Sequence, residues 1–355
     1  MKKDQNGTVK ARLQDAAGSL VDRIFLLPAR LSGPFMPGRA SNLQEYEQQL
    51  YFYINGGYVD NPASFFTFPS TTPPFSIIGR KPYNGGECRV IRYISGYEAK
   101  NPLIREAYQA HAANRSGYLV MWTHGDHPRK TVLCLHGYML GEPEQAERMF
   151  KVKKLYSAGL DVALFIAPFH WKRRTGSIAG RGFFLQPGNV VMTCECVGQC
   201  MHDLYGAFRI LFELGIPEAG MIGASLGGYN TALFACLSDI AAFGAMMVPA
   251  VNFSQPLGPG TVKHPFPVSD RLRKKIQQVW ELHSPLNLDP KIEPEKLLVV
   301  ASRGDMLCPF ENVKALCDRW GIKNRHFLAG GHWLIFDSGR RGRVWYAFLR
   351  RMGFL

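Results

Sequence analysis

From residue 116 onward, short apolar runs alternate with longer helical stretches, and this rhythm constrains the fold more than any other feature of the 355-residue chain. Strands buried on both faces read as near-continuous apolar runs, and the helices between them carry the crossovers. Candidate strands are Tyr118–Thr123, Thr131–Leu135, Asp161–Ala167, Gly220–Gly223, Phe243–Val248, Leu297–Ala301 and His326–Leu328. Candidate helices are Glu144–Ala158, Cys194–Leu214, one opening at Leu226, Asp270–Leu282, Glu311–Trp320 and Gly342–Met352. The expectation is an α/β fold, with a mostly parallel central sheet and helices on both faces.

Residues 1–115 read differently. Prolines are dense (Pro28, Pro34, Pro37, Pro62, Pro69, Pro73, Pro74, Pro82), which argues for an irregular or antiparallel lead-in. Two helical patterns interrupt it, Asn42–Tyr53 and Asn101–Asn114, the second with Asn101 as cap and Pro102 in the first turn. The expected organisation is an extension over 1–115 packed on the body, then one α/β domain over 116–355. Two connections, 168–193 and 249–294, exceed the usual few residues. Loops leaving the C-terminal ends of parallel strands overhang the crevice where such sheets bind ligands, so these insertions are expected to form a small lid.

The net charge of +14 raises the question of an anionic partner, but Lys and Arg are scattered, with local clusters at Lys172–Arg174, Arg271–Lys275 and Arg340–Arg343. No basic stripe interleaves with aromatics and no zinc-finger pattern occurs, so nucleic acid is not an expected partner. The first apolar run, Ile24–Leu27, is shorter than a signal-peptide core, and no window holds the roughly 20 apolar residues of a membrane span. The reading is a cytoplasmic protein, with a membrane surface as a less favoured partner. The eight cysteines do not suggest a disulfide framework in a chain of this length. Cys194, Cys196, Cys200 and His202 follow C-x-C-x3-C-x-H; on one helix these cannot all face one ion, so no metal is expected, and no cofactor either. Cys134, Cys236, Cys308 and Cys317 read as packing residues.

Chemistry enters at Met221-Ile222-Gly223-Ala224-Ser225-Leu226-Gly227-Gly228, where G-x-S-x-G lies between an apolar strand and an Ala-containing helix. A sharp strand-to-helix turn there exposes a nucleophilic serine, and Gly223 and Gly227 let strand and helix approach. A serine hydroxyl needs a base, and the base needs an orienting acid. Asp305 follows the strand Leu297–Ala301 and His332 follows His326–Leu328, both in Gly-containing loops and in the order Ser, acid, His. The loop after the preceding strand, Val248-Pro249-Ala250-Val251-Asn252, offers no carboxylate. Asp337 is read as a surface or capping residue, and His202, His264, His283 and His326 lack the post-strand glycine loop. An oxyanion hole requires two backbone N–H groups. Leu226, opening a helix, is one candidate; Tyr138, in His136-Gly137-Tyr138-Met139 after Thr131–Leu135, is the other, with Gly137 permitting the turn and His136 holding the loop.

With His136-Gly137, Gly223-Ala224-Ser225-Leu226-Gly227-Gly228, Arg303-Gly304-Asp305-Met306-Leu307-Cys308-Pro309 and Gly330-Gly331-His332 in this order, the chain from about residue 116 resembles the α/β-hydrolase superfamily. Pro168-Phe169-His170-Trp171-Lys172-Arg173-Arg174 and Ser225-Leu226-Gly227-Gly228-Tyr229 resemble a poorly characterised branch of α/β-hydrolase domain-containing proteins. The resemblance implies the α/β-hydrolase fold and a serine hydrolase cleaving a small-molecule ester or thioester through an acyl-enzyme. Alternatives on the same triad are a membrane-surface lipase or an acyltransferase; a binding protein without catalysis is a further alternative. Phe169, Trp171, Phe183, Phe184, Phe253 and Phe266 are candidates either to line an acyl pocket or to pack the long loops. Arg173, Arg174 and Arg181 are candidates either to meet an anionic substrate or to be solvated.

Overall fold

The computed structural model describes residues 2–31, 42–125, 127–174, 183–186, 188–253, 268–336 and 338–355, with the backbone alone at 2–8, 24–31 and 338. The chain opens with helices α1 (Lys2–Leu31) and α2 (Leu43–Asn55), the hairpin β1 (Phe75–Tyr83) and β2 (Gly86–Ile94), and the short helix α3 (Arg105–Gln109). Strands β3 (Ser116–Thr123) and β4 (Thr131–Leu135) follow, then α4 (Pro143–Met149), α5 (Val152–Ser157) and β5 (Asp161–Phe165). The long helix α6 (Val190–Glu213) leads to β6 (Ala219–Ala224), α7 (Leu226–Leu237) and β7 (Gly244–Met247). The chain closes with α8 (Asp270–Glu281), β8 (Leu297–Ser302), α9 (Phe310–Arg319), β9 (Arg325–Leu328) and α10 (Ser338–Arg351).

Among the described residues, nine strands form one sheet in the order β1-β2-β3-β5-β4-β6-β7-β8-β9. From β5 to β9 every neighbouring pair is parallel, while β1–β2, β2–β3 and β3–β5 are antiparallel. Alternate residues of the central strands feed two cores. Leu133, Leu135, Met221 and Val299 belong to one core with residues of α2 and α6–α9; Val132, Cys134, Ile222 and Val300 belong to the other with residues of α4, α5 and α10. Each such buried aliphatic side chain contributes roughly 1.5–3 kcal/mol. Helices therefore cover both faces, as the apolar runs imply.

Four features differ from the sequence reading or go beyond it. The sheet starts before residue 116: β1 and β2 extend its antiparallel edge, where Pro82 is tolerated because β1 has no neighbour beyond it. Strands β3 and β4, consecutive in sequence, are separated by β5. The helix expected over Glu144–Ala158 is broken at Lys151, which takes a left-handed φ of 54° between α4 and α5. Asn101 caps no helix: its side chain accepts from Leu103 N (3.1 Å) and donates to Gln49 O (3.0 Å), and the helix begins only at Arg105.

Helix α6 is apolar nearly all round, and a helix of that kind must be buried on every side. Its outer side is covered by the segment before β3, through Tyr53, Phe65, Tyr97 and Tyr108. Two acids inside this contact are fully buried and fully paired. Glu195 accepts from Tyr53 Oη and Tyr97 Oη (2.7 Å each) and from Lys100 N (2.8 Å) and Asn101 N (3.1 Å). Asp203 accepts from Ser95 Oγ (2.6 Å) and from Arg173 (2.6 Å). Among the described residues, no helix is long and apolar enough to cross a membrane.

Candidate active site

Ser225 stands between β6 and α7 with φ 57° and ψ −113°, a strained conformation for a residue with a side chain. Its amide donates to Met247 O (2.8 Å) and its carbonyl accepts from Tyr229 N (3.0 Å), so both neighbouring elements fix the turn. A Cβ at Gly223 would overlap the Gly227 carbonyl, and one at Gly227 would overlap the carbonyls of Leu135 and His136. These glycines let β6, α7 and the end of β4 meet at one point.

Asp305 and His332, 27 residues apart in sequence, arrive from the loops after β8 and β9. His332 Nε2 lies 3.0 Å from Ser225 Oγ, and Nδ1 lies 2.8 Å from Asp305 Oδ2. The other carboxylate oxygen, Oδ1, accepts from Leu307 N (2.9 Å) and Cys308 N (2.8 Å), which holds the carboxylate plane. Both side chains are nearly buried, at 8% and 1% exposure. Burial alone would lower the His332 pKa; Cys308 beside the ring and the Asp305 carboxylate on Nδ1 oppose it, and the net direction is well above the usual histidine value. Burial also pushes the Cys308 thiol above its usual value.

Gly137 lies on the other side of the serine, its Cβ position 3.7 Å from Ser225 Cβ. Leu140 N donates to Gly137 O (3.2 Å), folding His136–Leu140 into a turn in which Met139 takes φ 62°. His136 braces it from inside: Nε2 accepts from Ala167 N (3.2 Å), which leaves Nδ1–H to donate to Gly137 O (2.9 Å). Burial pulls the His136 pKa to about 4, so it is neutral. His170, 4.6 Å away ring to ring, repeats the device, accepting from Met139 N (3.1 Å) and donating to Pro168 O (2.8 Å). The amide of Leu226 opens α7, in the first turn where helix amides lack an intrahelical acceptor.

Other candidates fall elsewhere. Arg173 is buried and ion-paired with Asp203, and also donates to Ile166 O (3.0 Å) and Asn114 O (3.1 Å), so it is a core strut and not an anion receptor. Arg174 faces Glu142 at 3.7 Å. Phe169, Phe183 and Phe184 are buried in the core, Trp171 packs on Tyr118, and Phe253 packs on Tyr229. The described aromatics of the long loops thus pack the body. Arg181, His264, Phe266 and Asp337 lie outside the described residues, as do 175–182, 187 and 254–267 of the expected lid segments. Cys194 and Cys196 donate to Val279 O (3.7 Å) and Phe183 O (3.5 Å) inside the core, while His202 contacts Thr67 O (3.0 Å) at the surface. Two surface cavities, of about 520 and 400 Å³, are lined by residues such as Tyr97, Arg105 and Glu98, and neither touches Ser225, Asp305 or His332.

Three features of the site were not read from the sequence. His170 stands in the Pro168–Arg174 segment, where nothing marked it as a brace for the loop after β4. Cys308, three residues after Asp305, puts its thiol within 4.8 Å of ligand atoms of Asp305 and His332. Helix α1 lies against both the acid and base loops through Asp15, Gly18, Ser19 and Asp22.

With sheet order, elbow and post-strand loops in place, the chain has the α/β-hydrolase fold. Acetyl xylan esterase 1 from Thermoanaerobacterium sp. JW/SL YS485 superposes with a TM-score of 0.58 at 13% identity, covering 92% of this chain and 98% of that one. An acetyl xylan esterase from Paenibacillus sp. R4 gives 0.55 at 12%, covering 91% and 98%. In sequence, uncharacterized proteins of Mycobacterium tuberculosis strains CDC 1551 / Oshkosh and H37Rv are 27% and 26% identical over 350 residues, 96% of this chain and 83% of theirs. No family model matches the chain.

Proposed function

We propose that the protein is a serine hydrolase that cleaves a carboxylic ester or thioester through an acyl-enzyme on Ser225. The observation that carries this reading is the unbroken line Ser225 Oγ, His332 Nε2, His332 Nδ1, Asp305 Oδ2, at 3.0 and 2.8 Å. In the reaction, Ser225 Oγ attacks the carbonyl carbon while His332 Nε2 takes its proton, and Asp305 stabilises the imidazolium. His332 returns that proton to the leaving alcohol or thiol as the tetrahedral intermediate collapses. Water, deprotonated by His332, then releases the acid and restores the hydroxyl. The amides of Leu226 and Tyr138 serve as the oxyanion donors, one at the positive end of α7 and one in the turn braced by His136. The fold neighbours, both acetyl xylan esterases by name, support ester chemistry. All eight cysteines are free thiols, in keeping with a cytoplasmic protein.

A fluorophosphonate probe tests this directly: it should label the wild-type protein and leave Ser225→Ala unlabelled. Equal labelling of the two would remove Ser225 from the mechanism. A panel of p-nitrophenyl esters of rising chain length, run beside acyl-CoA thioesters, then identifies the acyl group and the leaving group.

A further inference from the structure

Over residues 9–23, whose side chains are described, helix α1 is amphipathic in the reverse of the usual sense. Its exposed side carries Val9, Leu13 and Leu20, at 55%, 67% and 59% exposure. Its inward side carries Asp15, Gly18, Ser19 and Asp22, spaced three, four and seven residues apart on one helical face. A helix held only by apolar burial would turn its Val and Leu residues inward. Residues 15–22 are docked through polar contacts, which go to the two loops that carry the acid and the base.

The contacts are specific. Asp22 is completely buried, and its carboxylate accepts from Met306 N (3.0 Å), from His332 N (2.8 and 2.9 Å to the two oxygens) and from Trp333 N (3.3 Å). One side chain thus holds the backbone next to Asp305 and the backbone of His332 itself. One turn earlier, Ser19 Oγ donates to Gly304 O (2.7 Å). Asp15 accepts from Gly330 N (2.9 Å) and pairs with Arg303 (3.1 Å). Gly18 lies so close that a Cβ there would overlap the backbone of Gly330 and Gly331. The two loops also touch each other, Gly304 N donating to Gly330 O (2.8 Å).

We propose that α1 is a strap that sets the Asp305–His332 geometry, with Asp22 as a positioning residue that acts through the backbone of both loops. The proposal rests on the serine-hydrolase reading. Its physical content is that a carboxylate accepting three amides fixes where those amides sit, and a displacement of about 1 Å in a catalytic group costs on the order of 100-fold in rate.

The test uses the full-length protein and two independent perturbations. Asp22→Ala removes the acceptor, and Gly18→Val pushes the helix off the base loop without touching a hydrogen-bonding side chain. Each should slow fluorophosphonate labelling and ester turnover by about 100-fold in kcat with KM changed much less. Each should also move the acid limb of the pH–rate profile down toward the ordinary histidine value of about 6.5, because a loosened Asp305 no longer raises the His332 pKa. Asp22→Asn, which keeps one acceptor oxygen, should recover part of the loss. A purely structural role would lower the active fraction and leave the pH profile of the remaining activity unchanged, and that result overturns the proposal. So would wild-type rates in either variant, or failure of both variants to fold, which would make α1 a folding element. A parallel Ser225→Ala sample separates the two readings: if it stays unlabelled while Asp22→Ala labels normally, only the strap is refuted.

Discussion

Replacing Asp305 by Asn tests the site more severely than removing the nucleophile, because the change preserves shape and alters only which atoms carry protons. In the native protein, Oδ1 accepts from Leu307 N and Cys308 N while Oδ2 faces His332 Nδ1. An asparagine must put its oxygen toward the two amides, since turning its NH2 there would set donors against donors. The NH2 group then faces Nδ1, which has to become the acceptor. Nε2 now carries the proton and no longer accepts one from Ser225 Oγ. The expected loss is about 10⁴-fold in kcat, equivalent to roughly 5.5 kcal/mol of transition-state stabilisation. With the carboxylate gone, the His332 pKa should also fall from its raised position. The assay is the second-order rate of fluorophosphonate labelling from pH 5 to 10, with folding checked by thermal unfolding. A folded Asp305→Asn protein that labels within tenfold of wild type across this range would refute the tautomer argument and Asp305 as the orienting acid.

Three further outcomes follow from the packing. The wild-type acid limb should lie above pH 6.5, since only neutral His332 accepts the serine proton and its pKa is raised; a limb at or below 6.5 contradicts this. Arg173→Met should cost about 3–5 kcal/mol in urea unfolding by stranding the Asp203 carboxylate, and adding Asp203→Leu should restore much of it. Buried His136, with a pKa near 4, makes the folded state refuse a proton that the unfolded chain accepts below about 6.5. Stability should therefore fall by up to about 3 kcal/mol between pH 6.5 and 4 on its account, and His136→Gln should flatten that slope. His332, with its raised pKa, has the opposite sign: its contribution is complete below about 6.5 and is lost as pH rises through the folded value.

The central sheet was legible because strands buried on both faces have no polar residues to confuse the pattern, as Val132–Leu135 and Leu297–Ala301 illustrate. Ser225 and Asp305 were legible because each sits just past such a strand, and His332 because Gly330-Gly331 mark the loop after the short edge strand β9. The edge hairpin was not, since β1 carries Gly79, Arg80, Lys81 and Pro82 and faces solvent on alternate residues. Lys151 breaks a helix without a Gly or Pro to announce it. Arg173 in a Lys-Arg-Arg run reads as surface charge until Asp203, 30 residues on, is seen beneath it. Helix α1 was not read at all, in a stretch expected to be irregular or antiparallel, and the partners of Asp22 lie more than 280 residues away.

Glu195 has a consequence for how the molecule holds together. Its carboxylate is shut away from water with four donors, all contributed by residues 53–101. Pulling that segment off α6 would leave a charge in an apolar helix face with nothing to replace the lost donors but incoming solvent. A chain cut at the turn near Gly125 would therefore remain in one piece through gel filtration. In assembly terms, the early part of this polypeptide is a tightly bound partner that happens to be encoded in the same reading frame.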